Sequence, residues 1–294
     1  MIWNFQGKSK LGGGINSSFL VLIPKEHNPS TFRHFRPISL CNVSYKICTK
    51  LTTNRMKPVL NKLIFQNQVG FIKWRQILDN VILVQEVIHA RKGRKEKGII
   101  IKLDMVNAFD KVKHSFLLRV LEKIGFSNRL ISKIRTCIKN PWIAPLINGR
   151  PTKFFQASRG IRQGCPLSPF FYILMDDSLS RKLLVEKEEG NLSGMKIAEG
   201  VKAINHALFT DDAICLGRAS LRIAKGFKKN LMDYYRASGG LINFNKSDIY
   251  GWNTYQRMMN KITSTLGMQG HTTWEKFKFL RLPIFLGANK GRHW

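Results

Sequence analysis

The amino-acid sequence predicts an α+β fold, and three patterns within its 294 residues support that prediction. Apolar residues recur at helical spacing in long segments such as residues 43–63 and 77–90. A short β-branched run at residues 98–103 is typical of a buried strand. Two apolar runs around a tight polar turn, residues 204–209 and 213–216, indicate a β-hairpin. Together these elements predict an antiparallel sheet backed by helices.

Composition and charge restrict the class of protein. Hydrophobic residues make up 44% of the chain, which is enough for a packed core and excludes a disordered or low-complexity protein. Lys and Arg number 49 against 18 Asp and Glu, so the formal net charge is +31. An excess of this size predicts a polyanionic partner, and nucleic acid fits it better than a membrane surface does.

No segment directs the chain to a membrane or to the secretory route. The longest apolar run near the start, Phe19–Ile23, is stopped by Pro24 and Lys25 and is too short for a bilayer span or a signal peptide. The cysteines are odd in number and form no C-x-x-C pair, which predicts buried free thiols, a reducing intracellular compartment and no structural zinc. These cysteines are Cys41, Cys48, Cys137, Cys165 and Cys215.

The first part of the chain is predicted to contain one strand and two helices. An irregular segment, residues 1–18, precedes a short strand at Phe19–Ile23. Helices are expected at Val43–Leu63 and Ile77–Ala90, where apolar positions have helical spacing. The basic run Arg91–Lys97 is expected to be a turn, and a solvated loop is a commoner explanation for such a run than a binding site.

The next segment places a charge at the end of a buried strand. Gly98–Leu103 is predicted as that strand, and Asp104 follows it directly. Apolar residues at helical spacing from Phe109 to Ile124 predict one helix, with Gly125 as its C-terminal stop. A carboxylate at such a junction is rare unless it has a partner, so Asp104 is a candidate functional residue.

The second half of the chain contains a further helix with a pair of acids inside it. Residues 169–184 predict this helix, with Ser168 as N-cap and Pro169 at the first helical position. Asp176 and Asp177 lie within its pattern and point about 100° apart, so we expect them on a solvated face. An Asp pair alone is therefore a weak signal for a functional site.

Asp104 and the pair Asp211-Asp212 at the hairpin tip are the residues that can carry chemistry. If their strands are neighbours in one sheet, the three carboxylates meet at one edge. Mg²⁺ prefers oxygen ligands and keeps several waters, so two or three converging carboxylates are enough to hold it. Two such ions, about 3.5–4 Å apart, stabilise the attacking and leaving oxygens of a displacement at phosphorus. His206, just before the tip, is expected to be a hydrogen-bonded strand residue rather than a metal ligand.

Several blocks of the sequence resemble successive motifs of the reverse transcriptase family, in the order and spacing of that family. They are IIIKLDMVNAFDKV (99–112), RGIRQGCPLSPFFYIL (159–174), INHALFTDDAICL (204–216), SGGLINFNKS (238–247) and KFLRLPIFLG (278–287). Two upstream blocks are similar to plant LINE-type (non-LTR) retrotransposons, namely NSSFLVLIPK…FRPISLCNVSYKI (16–47) and QVGFIKWRQILDN (68–80).

The resemblance implies an RNA-directed DNA polymerase that joins dNTPs to a primer 3′-OH. Asp104, Asp211 and Asp212 match the metal-binding, catalytic triad of the family, which holds two Mg²⁺ ions or Mn²⁺ in their place. Lys246 matches the lysine that assists the pyrophosphate leaving group, as general acid or by its charge. The implied partners are an RNA template, a DNA primer and dNTPs.

Five further residues match nucleotide-binding positions of the family. Phe109 matches the aromatic gate, whose ring would clash with a ribose 2′-OH. Gln163 and Gly164 match the loop that lies along the incoming nucleotide and the template, where glycine permits close approach of the backbone. Arg36 and Arg75 match basic finger residues that contact the template or the triphosphate.

The implied architecture is a right-hand polymerase fold with fingers, a palm and most of the thumb missing. The predicted parts are an N-terminal extension and fingers (1–98), palm (99–120), a fingers insertion (121–156), more palm (157–287) and the start of a truncated thumb (288–294). Within the insertion, Asn148-Gly149 is a hairpin-turn signal. Endonuclease and RNase H domains are absent from the sequence, and nuclear action is implied only through the family.

The sequence departs from the family pattern at several positions, among them Gly240-Leu241, where Leu-Lys or Gln-Lys is more common. Thr210 replaces the usual Ala before the two aspartates, and His114 replaces a usual Trp. Trp74 and Arg281 stand where Gly is usual, and a positive φ at Arg281 would add strain of about 1–2 kcal/mol. Such departures fit a truncated, degenerate copy, so an inactive relic is one expected outcome. The alternatives are a non-catalytic basic RNA-binding module and, within the same chemical class, a maturase-like or viral RNA-dependent polymerase.

Overall fold

The computed structural model describes residues 2–12, 14–210, 212–274 and 277–284. The helices are α1 Ile2–Lys8, α2 Val43–Leu63, α3 Ile77–Gly93, α4 Ala108–Lys111, α5 His114–Ile124, α6 Asn128–Ile138, α7 Ser168–Glu188, α8 Leu221–Ser238 and α9 Gln256–Leu266. The strands are β1 Ser17–Pro24, β2 Phe35–Cys41, β3 Gly98–Leu103, β4 Trp142–Ile147, β5 Arg150–Pro151, β6 Phe155–Gln156, β7 His206–Phe209, β8 Asp212–Arg218, β9 Asp248–Trp252, β10 Gln269–His271, β11 Lys278–Phe279 and β12 Leu282–Pro283.

The chain forms two compact units, each assembled from separate segments. The first unit comprises the chain up to residue 63, residues 107–175 and residues 237–239. The second unit comprises residues 64–106, residues 176–236 and the chain from residue 240 onward. The thumb segment predicted at 288–294 lies outside the described residues.

The first unit contains a mixed sheet in the order β2-β1-β4-β5, with β6 paired to β4. Strand β1 is antiparallel to β2 and parallel to β4. The predicted turn at Asn148-Gly149 is confirmed, because Ile147 pairs with Arg150 across it. Asn148 and Gly149 have φ of 49° and 75°, which is the left-handed conformation that a type I′ hairpin turn requires.

The second unit contains a sheet in the order β10-β9-β3-β8-β7. The central strand β3 is antiparallel to both neighbours, and its side chains Ile99, Ile101 and Leu103 are fully buried. Ile100 belongs to a core cluster with residues of α3 such as Val84, so a helix covers one face of this sheet. The predicted α+β fold is confirmed, and this helix-backed sheet is antiparallel except where its edge strand β10 pairs parallel with β9.

The single helix predicted from Phe109 to Ile124 is wrong, because the chain breaks it into α4 and α5. Val112 and Lys113 both have ψ of 121°, which is not helical. Their backbone groups bond elsewhere, since Val112 O accepts from Gly160 N–H at 2.8 Å and Lys113 N–H donates to Ser238 O at 2.8 Å. The predicted stop is confirmed, because Gly125 caps α5 with φ of 94°.

The solvated face predicted for Asp176 and Asp177 is also wrong, because their exposures are only 6% and 1%. Both lie in α7, and each carboxylate has a specific partner. Tyr234 donates its hydroxyl to Asp176 at 3.1 Å. Asp177 accepts from the backbone N–H of Phe65 at 2.8 Å and from Arg181 Nε at 2.7 Å. These acids are structural, because buried carboxylates persist only where such partners exist.

The prediction of buried free thiols is confirmed, because all five cysteines are buried and free. Burial raises the pKa of Cys215 to about 12, so this thiol stays protonated and unreactive at neutral pH. Within the described part of the chain, no helix has both the length and the apolar character needed to cross a membrane.

Candidate active site

Two of the predicted metal ligands lie at the same edge of the second unit's sheet. Strands β3 and β8 are antiparallel, with Leu103 opposite Ala213. Continuing this register by one residue places Asp104 opposite Asp212. Opposite residues in an antiparallel pair point to the same face, with Cα atoms about 4.5–5.5 Å apart. Both aspartates are half-buried, so their carboxylates are held by the sheet and remain accessible.

The hairpin between β7 and β8 is as tight as the sequence predicts. Phe209 pairs with Asp212, so the chain reverses direction within two positions, and Thr210 is the described residue of the turn. Thr210 has φ of 50°, in the left-handed region that β-branched residues rarely adopt. This conformation carries strain of about 1–2 kcal/mol. Asp211, the third predicted ligand, lies outside the described residues.

Strand β7 is supported on its outer edge by the loop that contains Arg75. Leu208 of β7 accepts from Val69 N–H at 3.3 Å and donates to Asn67 O at 2.8 Å. The Arg75 guanidinium donates to the carbonyl oxygens of Ile64, Phe65 and Gln68 at 2.8, 2.6 and 2.5 Å. Arg75 therefore holds the loop beside the hairpin, and its predicted contact with template or triphosphate stays a prediction.

A turn at residues 243–247 is fastened to Asp104 by three hydrogen bonds. Asn243 donates its backbone N–H to Asp104 O at 2.9 Å and its side-chain Nδ2 to Asp104 Oδ2 at 3.0 Å. Asp104 N–H in turn donates to Ser247 Oγ at 3.0 Å. The exposed Lys246 lies on this turn, between the two residues that contact Asp104.

The turn exists because the pairing of β3 shifts at Asp104. Lys102 pairs with Asp248, whereas Met105 forms a bridge with Ile242. The two residues between Lys102 and Met105 therefore lie opposite five residues, 243–247. The extra residues form a bulge, and bulges redirect side chains at functional sites. Asn243 and Ser247 were not singled out from the sequence, although both stand in the block that contains Lys246.

The donor set suits a hard divalent cation. Carboxylate oxygens are the ligands that Mg²⁺ prefers, and Asp104 and Asp212 supply them from adjacent strands. Asn243 donates a hydrogen bond to Oδ2 of Asp104, and Oδ1 of Asp104 accepts no hydrogen bond from a described residue. The described residues contain no group of three His, Cys, Asp or Glu side chains that could hold a metal, and Asp211 is not among them.

His206 is a buried structural residue, as the sequence predicts. Its Nδ1 lies 2.7 Å from Asn205 Oδ1, and its Nε2 lies 2.7 Å from Ser180 Oγ and 3.2 Å from Asn67 Nδ2. This network assigns the proton to Nδ1. Burial lowers the pKa of His206 to about 3, so the ring is neutral and anchors β7 without adding charge near the aspartates.

The predicted gate residue, Phe109, lies in α4 of the first unit. Its ring stacks on Tyr172, with centroids 5.1 Å apart and planes inclined by 12°. Phe109 O also accepts from Ile161 N–H at 2.8 Å. The ring is half-buried and fixed on one side, which is the rigidity that a steric gate needs.

Gln163 and Gly164 form a loop against β2 in the first unit. Gln163 O accepts from Ser39 N–H at 2.7 Å. Burial raises the pKa of Asp110, and a hydrogen bond from the Gln163 side chain partly opposes this. Gly164 has φ of 106°, and a Cβ there would lie 2.7 Å from Ser39 O, so only glycine fits. Arg36 is exposed on the same strand, β2.

Two residues that replace the family's glycines keep a glycine-like backbone. Trp74 has φ of 71° and Arg281 has φ of 68°. Both values fall in the left-handed region, where a residue with a Cβ carries strain of about 1–2 kcal/mol. Arg281 thus meets the condition, a positive φ, under which strain is expected from the sequence. Trp74 is 84% exposed, so packing does not compensate its strain.

The fold and the paired aspartates define a polymerase of the right-hand class. A family model described as reverse transcriptase (RNA-dependent DNA polymerase) matches residues 23–281. The chain belongs to this family. In fold it is similar to telomerase from Candida tropicalis in complex with a TWJ fragment of telomeric RNA, with a TM-score of 0.61 and 12% identity, over 96% of this chain and 46% of that chain.

Two relatives with similar sequences come from transposable elements. The chain is 28% identical over 240 residues to the transposon TX1 uncharacterized 149 kDa protein of Xenopus laevis, covering 82% of this chain and 18% of that protein. It is 25% identical over 234 residues to a retrovirus-related Pol polyprotein from a type-1 retrotransposable element R2 of Popillia japonica, covering 75% of this chain and 32% of that protein. The chain thus spans less than a third of either relative.

Proposed function

We propose that this chain is the polymerase core of a non-LTR retroelement and that it extends a DNA primer along an RNA template. The observation that carries the proposal is the register that puts Asp104 opposite Asp212 at one sheet edge. These two residues occupy the positions at which the family's motifs have metal-binding aspartates. The names of the relatives, a transposon protein and an R2 Pol polyprotein, support the retroelement assignment.

Asp104 and Asp212, together with Asp211, would hold the divalent cations. Bound there, Mg²⁺ would supply positive charge to the attacking 3′-oxygen and to the phosphates. Asn243 binds one oxygen of Asp104 and would leave the other for a cation. Lys246, on the turn fastened to Asp104, would donate a proton or positive charge to the departing pyrophosphate.

The residues that match the family's nucleotide-binding positions would select and orient the nucleotide. The Phe109 ring, stacked on Tyr172, would exclude a ribose 2′-OH by contact, which favours dNTPs. Gly164 lets the backbone of its loop approach a flat base pair closely, and Arg36 would contribute charge to phosphate. We assign the chain to the plant LINE-type branch from its upstream sequence blocks, and nuclear action follows from that assignment.

Primer extension tests the proposal directly. The chain should add dTTP to oligo(dT) on poly(rA) with Mg²⁺ or Mn²⁺, and Asp104→Asn, Asp211→Asn and Asp212→Asn should each remove the activity. Asp233→Asn is the matched control, because Asp233 pairs with Lys182 on the surface and should not affect incorporation. Incorporation that survives in Asp104→Asn would refute the site.

The net charge of +31 supports a second candidate, a non-catalytic RNA-binding module. Such a module would bind RNA equally well with and without Asp104 and would incorporate no nucleotide with either metal. An RNA-binding titration of Asp104→Asn, made beside the extension assay, separates the two functions.

A further inference from the structure

The end of the second unit's sheet that lies farthest from Asp104 carries two adjoining basic cavities. Strand β3 runs from Gly98 to Leu103, so this end is about 20 Å from the aspartates. One cavity, of about 500 Å³, is lined by Lys97, Arg218 and Arg222 among others. The second, of about 510 Å³, shares Lys97 and adds Lys95 and Tyr255. We call the two cavities together the distal basic cleft.

The turn that supplies the lysines is fixed in place. Asn253 donates its side-chain Nδ2 to Lys92 O and to Glu96 O, both at 3.2 Å, and so bridges the turn. Arg91 forms an ion pair with Glu96 and donates to Lys196 O at 2.5 Å. The basic run 91–97 is therefore not a turn throughout, contrary to the sequence prediction, because residues 91–93 end α3 and only the residues after them form the ordered turn. Its one carboxylate, Glu96, is paired with Arg91.

The charge of the cleft is left uncompensated by the fold. In the part of the chain that the structure describes, none of Lys95, Lys97 and Arg218 forms an ion pair. Arg222 donates to Gly190 O at 3.2 Å, which fixes its guanidinium without cancelling its charge. Lys92 also lines the second cavity, so five cations line the two cavities and repel one another, and an anionic occupant would be strongly favoured.

An aromatic ring stands among these cations. Tyr255 is 71% exposed, and Lys97 Nζ lies 4.3 Å from the centroid of its ring. An exposed flat ring beside phosphate-binding cations is the combination found in sites for single-stranded nucleic acid, where bases stack on aromatic side chains. An acidic protein would use the charges but would have no need of the ring.

We propose that the distal basic cleft binds the phosphodiester backbone of single-stranded nucleic acid and stacks one unpaired base on Tyr255. This proposal rests on the proposed function only in that the chain handles nucleic acid. It adds a binding site about 20 Å from the aspartates. A strand that extends beyond the active site could be held there, so that binding would not depend on catalysis.

Fluorescence anisotropy with a labelled 20-nucleotide poly(rU), in EDTA and at several salt concentrations, tests the proposal. In the double variant Lys97→Gln/Arg218→Gln, the plot of log K for binding against log salt concentration should become less steep by about 1.4. This is about 0.7 for each of the two lost phosphate contacts. At 0.1 M salt this corresponds to an affinity about twentyfold lower. The control Lys202→Gln/Lys229→Gln makes the same charge change at exposed lysines that line neither cavity, and should keep the wild-type slope.

A second pair of variants tests the stacking without a change of charge. Tyr255→Ala should weaken poly(rU) binding by roughly fivefold or more, whereas Tyr255→Trp should keep it. A double variant with the slope of its control, or Tyr255→Ala with wild-type affinity, would overturn the proposal. Because EDTA removes the metal, a failure of primer extension leaves these binding results unaffected, and the two proposals can fail separately.

Discussion

Removing the side chain of Asn243 should weaken metal binding at Asp104 more than any other change that leaves the aspartates intact. Asn243→Ala deletes the Nδ2–H donor to Asp104 Oδ2, a bond of 3.0 Å, and spares the backbone bond between the same residues. The Asp104 carboxylate then loses the contact that fixes its rotation. The turn itself is retained, because its backbone pairing and Ser247 still hold it.

The expected magnitude follows from two independent considerations. A hydrogen bond to a charged group contributes about 1.5–3 kcal/mol, which corresponds to a factor of roughly 10–150 in an equilibrium constant. Residues that orient a metal ligand typically change metal affinity or activity by about 10–100-fold when mutated. We therefore expect the Kd for Mn²⁺ to rise about 10–100-fold in Asn243→Ala.

Electron paramagnetic resonance titration of free Mn²⁺ measures that Kd without nucleic acid or turnover. Asn245→Ala is the matched control, because Asn245 lies exposed in the same turn and is truncated in the same way. In primer extension, kcat should fall with Asn243→Ala while KM for dTTP stays within about twofold. If Asp104→Asn abolishes Mn²⁺ binding but Asn243→Ala matches the Asn245→Ala control, the orienting role of Asn243 is refuted.

Three further predictions concern stability, each measured by urea denaturation. Gly164→Ala should lower the free energy of unfolding by about 2–3 kcal/mol, because Gly164 has φ of 106° and a Cβ there would lie 2.7 Å from Ser39 O. The control Gly190→Ala should lower it by about 1 kcal/mol, because Gly190 has φ of 76° but open space around it. Equal losses in the two variants would contradict this prediction. Trp74→Gly should raise the free energy of unfolding by roughly 0.5–1 kcal/mol, and a loss of stability would contradict the strain argument. The pKa of His206 is about 3 in the folded state and about 6.5 in the unfolded state. The neutral ring therefore contributes fully to the free energy of unfolding above about pH 6.5. This contribution is lost as the pH falls below about 6.5, at up to about 1.4 kcal/mol per pH unit. When the pH falls from 7.5 to 5, the free energy of unfolding of the wild type should decrease by about 2 kcal/mol more than that of His206→Asn. Parallel plots of unfolding free energy against pH for the two proteins would refute this.

The parts of the site that could be predicted from the sequence depend on local patterns. Gly98–Leu103 reads as a buried strand because it is a β-branched run, and the abrupt charge at Asp104 marks where the strand leaves the core. Three polar residues, Thr210-Asp211-Asp212, between two short apolar runs allow little other than a hairpin, and the structure shows that Asp212 begins the returning strand. The two aspartates come together once β3 and β8 are neighbours in the sheet, and the structure, rather than the sequence, gives that adjacency.

The parts that could not be predicted depend on contacts between distant segments. Helical spacing shows that Asp176 and Asp177 point in different directions, but it does not show that other elements cover both directions. Tyr234, which binds Asp176, lies 58 residues away along the chain. The role of Asn243 is hidden for the same reason, because it arises from a register shift between strands that are far apart in sequence.

The substitutions at Trp74 and Arg281 affect the stability of the fold rather than the contacts of Asp104. Both keep the positive φ that suits the family's glycine, so the backbone has retained its conformation while the side chain opposes it. Their combined strain, about 2–4 kcal/mol, is a large fraction of the 5–15 kcal/mol by which domains are stable. The contacts that hold Asp104, in contrast, are complete, from the Asn243 amide to the Ser247 hydroxyl. Loss of activity in this chain would therefore come first from a weakened scaffold, and the carboxylate chemistry would be the last part to fail.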